Sequence, residues 1–125
     1  MAARVLVVDD EKAVCAVLQD VLEMEGYEAE VCHDVDTARA RLAEGKFDVA
    51  LLDVFLSNGP VGVELGREIL EESPQTSLLF MTGYAEDVDV QAGYAFGAYA
   101  CIKKPFELDD IVRVIGVALD GKTGG

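Results

Sequence analysis

The chain has no tryptophan, a single histidine, three cysteines and only 10 Lys and Arg against 24 Asp and Glu, for a net charge of −14. So few cations argue against direct binding to nucleic acid or an anionic membrane, whose phosphates demand Lys and Arg. The acid excess suits divalent cations and a basic protein partner, although solvation of the surface accounts for most of it. With His33 alone and no thiol pattern beside it, histidine-based metal sites and a Ser-His-Asp triad have little support. Cys15, Cys32 and Cys101 are odd in number, widely spaced and free of any C-x-x-C pairing. They read as buried free thiols of a reducing compartment, with neither a zinc site nor a disulfide framework implied. No apolar run approaches the roughly 20 residues needed to cross a bilayer. The opening MAARVLVVDD lacks a signal-peptide layout, because its short apolar segment runs straight into acids. Neither G-x-G-x-x-G nor a P-loop is present, and there is no internal repeat, low-complexity segment or linker.

What is there is a repeated alternation. At 125 residues the chain is long enough for one core and too short for two. Arg4 to Val8 and Phe47 to Asp53 are short apolar runs without polar alternation, the habit of strands buried on both faces of a parallel sheet. Glu28 to Cys32, Ser77 to Thr82 and Tyr99 to Ile102 supply three more strands. Between them lie stretches of helical spacing. The first starts at Glu11, with Asp10 as a candidate cap, and stops at Gly26. The second covers Asp34 to Ala43, capped by Asp34 or Asp36; the third covers Val63 to Leu70, before Pro74. The fourth spans about Glu86 to Phe96 and the last Phe106 to Leu119. This pattern predicts an α/β fold: a (βα)5, doubly wound, five-stranded parallel sheet with right-handed crossovers and helices on both faces. Residues 1–120 form the expected domain, and 121–125 a frayed tail.

In such a sheet the carboxyl ends of the strands share one edge, where ligands bind. Collected there are Asp9, Asp10 and Glu11 after the first strand, Asp53 after the third, Thr82 after the fourth and Lys104 after the fifth. Each has a bland reading: a strand-end acid is usually a cap or solvated, Thr favours strands, and a Lys is most often surface. Their joint occurrence at one edge shifts the odds. Clustered carboxylates repel unless a cation sits among them, and oxygen ligands favour Mg²⁺ over zinc. A carboxylate so placed could attack a phosphoryl group to give an acyl phosphate, with the metal and a lysine neutralising the phosphoryl oxygens and a hydroxyl donating to them.

The pieces VLVVDDEK (5–12), VALLDVFL (49–56), FMTGYA (80–85) and GAYACIKKPFELDDI (97–111) resemble, in order and spacing, the receiver domain of two-component response regulators, over essentially the whole chain. The resemblance implies the flavodoxin-like receiver topology. It implies Asp53 as phosphoacceptor, Asp9 and Asp10 as Mg²⁺-binding acids, and the backbone carbonyl of Phe55 as a further metal ligand. Thr82 and Lys104 would be the switch hydroxyl and the phosphate-contacting lysine, with Lys103 the neighbouring candidate, and the Lys104-Pro105 bond is expected to be cis. The implied donor is a histidine kinase or histidine phosphotransfer protein in the cytoplasm. The implied readout is a downstream effector reached through the face of the fourth helix, fifth strand and fifth helix, a phosphorylation-dependent dimer being a further outcome. With no output domain after Leu119, the effect passes through another protein, or the chain is one domain of a longer one.

Three departures matter. Cys101 stands where the family usually has Tyr or Phe, and it is too small to serve as the aromatic rotamer switch; Tyr84 or Tyr99 would have to substitute. The loop FLSNGPVGVE lacks the common Leu-Pro-x-Met-Asp-Gly wording. Phe55, bulky and two residues past Asp53, is expected to hinder water and slow dephosphorylation. Competing readings are weaker. A haloacid-dehalogenase-like phosphohydrolase wants an acid at position 55 and a cap domain. A flavodoxin-like cofactor module lacks its ligand motifs, and a pseudo-receiver that docks without phosphorylation would not need all five key positions filled.

Overall fold

The computed structural model describes residues 2–56, 59, 61–83 and 97–123. Within them are five strands: β1 (Arg4–Val8), β2 (Glu28–Cys32), β3 (Val49–Asp53), β4 (Ser77–Thr82) and β5 (Ala100–Lys103). Three helices are α1 (Lys12–Met24), α2 (Val35–Glu44) and α3 (Val61–Glu72), and a C-terminal helix covers Leu108–Thr123. All strand pairs are parallel, in the order β2-β1-β3-β4-β5. The expected architecture is therefore present, with β3 at its centre and all five of its residues buried.

Side chains alternate across the sheet and build two apolar layers. Leu6, Val8, Ala50, Leu52, Leu78 and Phe80 pack under α2 and α3, and Val5, Val7, Val49, Leu51, Leu79 and Met81 face α1 and the C-terminal helix. Burial on both sides explains why the central strands read as unbroken apolar runs.

Two glycines let α3 lie close to the sheet. A Cβ at Gly62 would collide with the backbone carbonyl oxygen of Asp53, and one at Gly66 would come within 2.8 Å of Leu78 Cδ2. The Gly62 N–H donates to Val54 O at 3.1 Å, so α3 begins directly behind the strand that carries Asp53.

Several element ends differ from the sequence expectation. The N-cap of α1 is Glu11, without a side-chain cap bond, and Asp10 does not cap it. For α2 the choice resolves to Asp34, whose carboxylate accepts from the Thr37 N–H at 2.7 Å. Helix α3 extends two residues beyond the expected range at each end, because Val61 N–H already finds Gly59 O at 2.8 Å. Strand β5 runs one residue later than expected, from Ala100, since its ladder pairs Thr82 with Lys103. The C-terminal helix starts at Leu108, with Asp109 and Asp110 in its positive first turn, and continues through Gly121 to Thr123, past the expected stop at Leu119 and into the expected tail. The helix expected over 86–96 lies outside the described residues. No helix among the described residues is long and apolar enough to cross a membrane.

Candidate functional site

The site forms where β1, β3, β4 and β5 end. Asp9 follows β1 directly and is fully buried. Its N–H donates to Cys32 O at 3.1 Å, which prolongs the β1–β2 pairing by one residue. One carboxylate oxygen, Oδ1, accepts from the Glu11 N–H at 2.9 Å, and the Cys15 thiol donates to the Asp9 carbonyl at 3.2 Å. Asp53, the last residue of β3, is 5 % exposed, and its Oδ1 accepts from the Phe55 N–H at 3.1 Å. Each of the two buried acids is thus oriented by a backbone N–H two residues further on, the local turn that Asp favours.

Lys104 closes the site from β5. Its backbone N–H donates to Thr82 O at 2.8 Å, and its peptide bond to Pro105 is cis, as expected. Its ammonium lies 2.7 Å from Asp9 Oδ2, 3.0 Å from Asp53 Oδ2 and 3.1 Å from Glu11 Oε1. Lys103, the alternative candidate, is exposed. Thr82 ends β4 and is buried at the same edge. Asp10 is exposed, yet it joins Asp9 and Asp53 in a group whose carboxylate oxygens lie within 4.8 Å of one another.

The electrostatics follow from burial among like charges. Burial pushes the Asp53 carboxyl above the ordinary range; Lys104 opposes that push, and the neighbouring Asp9 charge adds to it. Burial acts against the charge on Lys104, but hydrogen bonds to Asp9, Asp53 and Glu11 outweigh it and hold the ammonium firmly protonated. Cys15 is pushed up to about 11, first by burial and then by the Asp9 charge, so it is an inert thiol and no nucleophile.

Hard carboxylate oxygens grouped this closely fit Mg²⁺, which takes oxygen ligands and keeps several waters; nothing in the donor set favours zinc. Asp9, Asp10 and Asp53 would hold the ion, and the described geometry also seats Phe55 half-buried two residues past Asp53.

The structure therefore brings Asp9, Asp10, Asp53 and Lys104 into one cluster and sets Thr82 beside it. Cys101 is half-buried on β5, paired in register with Phe80 and packed against the α2–α3 layer. Tyr99 is 48 % exposed, and Tyr84 lies outside the described residues. One contact escaped the sequence: Glu11 was grouped with the acids at the edge, but its ion pair with Lys104 was not foreseen. Three consecutive acids opposite a lone cation at the same edge were its only signal.

A family model described as the response regulator receiver domain matches residues 5–116. The chain is 33 % identical over 121 residues to the nitrogen assimilation regulatory protein NtrX of Azorhizobium caulinodans, covering 96 % of this chain and 27 % of that one. It is 36 % identical over 109 residues to the transcriptional regulatory protein TrcR of Mycobacterium tuberculosis, covering 87 % and 42 %. A crystal structure of a CheY-like receiver domain protein from Methanospirillum hungatei superposes with a TM-score of 0.93 at 30 % identity, over 100 % of both chains. The beryllofluoride-activated NtrC4 receiver domain dimer superposes with a TM-score of 0.85 at 32 % identity, over 94 % of this chain and 97 % of that one. The chain spans between 27 % and 50 % of the length of the first curated relatives it matches.

Proposed function

Because the chain belongs to the response regulator receiver domain family, whose members are signalling switches that bind Mg²⁺ at an acidic pocket, we propose that Asp53 is the phosphoacceptor of a phosphorelay switch. The observation that carries this reading is the Lys104 ammonium held between Asp9 Oδ2 at 2.7 Å and Asp53 Oδ2 at 3.0 Å. A cation already bridges the acids at the spot where phosphoryl oxygens would need neutralising.

The donor is a phosphohistidine of a kinase or a phosphotransfer protein. A carboxylate oxygen of Asp53 attacks phosphorus, the P–N bond breaks, and its electron pair leaves on the imidazole nitrogen. The Phe55 N–H holds the carboxylate in place during attack. Asp9, Asp10, Asp53 and the Phe55 carbonyl would hold Mg²⁺, which would offset charge on the transferring group. Lys104 then turns from carboxylates to the new phosphoryl oxygens, and Thr82 donates its hydroxyl to another. That inward pull on the ends of β4 and β5 shifts a two-state equilibrium at the β5 margin, which a downstream effector reads. Cys101 at this margin has no aromatic ring to change rotamer, so the shift passes through backbone and packing. The activity is limited to self-phosphorylation from a donor and loss of that phosphoryl group to water, in the cytoplasm, within a domain whose last helix runs to Thr123.

Incubation with Mg²⁺ and acetyl phosphate, followed by intact-protein mass measurement, tests the reading. A gain of one phosphoryl mass is expected, absent in Asp53→Asn and absent when the metal is chelated. No gain in the wild-type chain would favour a docking module that works unphosphorylated, and sustained release of phosphate from diverse monoesters would favour a hydrolase.

A further inference from the structure

Lys104 has three carboxylate partners, and they are not equivalent. Asp9 and Asp53 are buried, whereas the Glu11 side chain is 61 % exposed and that of Lys104 19 %. Asp9 Oδ1 and Asp53 Oδ1 already accept backbone N–H groups, so a divalent cation among Asp9, Asp10 and Asp53 would draw on the Oδ2 atoms that now hold the ammonium. Two positive charges a few ångströms apart in a partly buried site repel strongly, so both cannot keep the same pair of acids. The Glu11 contact lies on the water side of the cluster, at 3.1 Å. Its backbone is fixed by the Glu11 N–H bond to Asp9 Oδ1 and by its place at the start of α1. The lysine therefore has somewhere to go without crossing open solvent.

We propose that Glu11 is a positioning residue that receives the Lys104 ammonium when a divalent cation takes Asp9 and Asp53. It keeps the lysine at the rim, one side-chain rotation from the group it must meet next. This rests on the cation site of the phosphorelay reading but assigns a role that reading does not contain. Glu11 lowers the cost of admitting the cation, and it does so through Lys104 and not merely as one more nearby negative charge.

A thermodynamic cycle separates the two. Mg²⁺ binding to the wild-type chain, Glu11→Gln, Lys104→Met and the double variant is measured by titration calorimetry at constant ionic strength, with no phosphodonor. Glu11→Gln should weaken Mg²⁺ about two- to five-fold, the worth of a half-exposed ion pair. Lys104→Met should tighten it by about tenfold, because a competitor is removed. In the Lys104→Met background, Glu11→Gln should change affinity by less than half of its effect in the wild type. An equal loss in both backgrounds, or no loss in either, overturns the proposal. No Mg²⁺ binding by the wild-type chain would instead defeat the cation site itself, and so the phosphorelay reading. If Lys104→Met gives no folded far-UV circular dichroism spectrum, Lys104→Gln, which keeps a donor but no charge, takes its place in the same cycle.

Discussion

Phe55 makes two contacts, one in the site and one in the core. Its N–H orients the carboxylate of Asp53 at 3.1 Å, and its half-buried ring packs beside the α2–α3 layer. The first role survives any substitution that keeps the backbone, but the second does not. Phe55→Asn should therefore leave phosphorylation of Asp53 intact and shorten the acyl-phosphate lifetime several-fold, since a polar side chain admits and orients water where a ring keeps it out. Decay of the phosphorylated species by mass measurement after donor removal checks this, and an unchanged lifetime rules it out. At this scale the sequence was most legible where a strand end fixed the position: Asp9, Asp53 and Lys104 meet because each ends a strand, or directly follows one. Glu11 was not, because its partner is 93 residues away and its long side chain has several directions to take. Strand periodicity carries no information about such a rotamer.

At the level of elements, β3 and α3 meet at the closest approach among the described glycines. Gly62 lets the helix backbone sit against the Asp53 carbonyl, where no side chain fits. Gly62→Ala should destabilise the domain by about 2–3 kcal/mol in urea unfolding, the usual cost of forcing atoms into a filled core. It should also lower the yield of phosphorylation, because relief of the clash displaces the strand end that carries Asp53. Asp34→Ala makes the useful contrast. It removes the carboxylate that accepts the Thr37 N–H at 2.7 Å at the start of α2. A loss of about 1 kcal/mol is expected with no change in phosphorylation. Strand extents were read closely because buried apolar runs have sharp ends: β1, β2 and β4 without error, and β3 two residues too early, from Phe47 where the ladder starts at Val49. Helix ends were read less well. Helix α3 starts early on a backbone bond from Val61 to Gly59 O, and the C-terminal helix runs through Gly121, which reads as a stop. Both depend on tertiary support that local composition does not record.

For the molecule as a whole, charge is the dominant unbalanced quantity. A chain of −14 with a sequence pI near 4.2 repels itself, most of all where three acids converge. Mg²⁺ should therefore raise the melting temperature beyond what NaCl of equal ionic strength does. At about ten times its dissociation constant the ion contributes ~1.4 kcal/mol, or about 5 °C for a domain of this size. Differential scanning calorimetry of the wild-type chain and Asp53→Asn checks the origin of the gain. If the two respond alike to Mg²⁺, the ion acts on the surface at large and not at the cluster. The fold class, the edge that carries the chemistry and the acid excess were all visible from composition and pattern. Which residues fill which layer, and the central place of β3, became visible only with the sheet order.

The bond from Lys104 to Asp9 joins residues 95 positions apart, so nearly the entire chain is looped between its ends. A ribosome that has released the first sixty residues has already delivered Asp53, but the counter-cation is not yet made. Until the final strand docks, Asp53 lacks the Lys104 ammonium that it meets at 3.0 Å in the folded chain. Under the phosphorelay function proposed above, the accepting site is complete only once the last strand is in place.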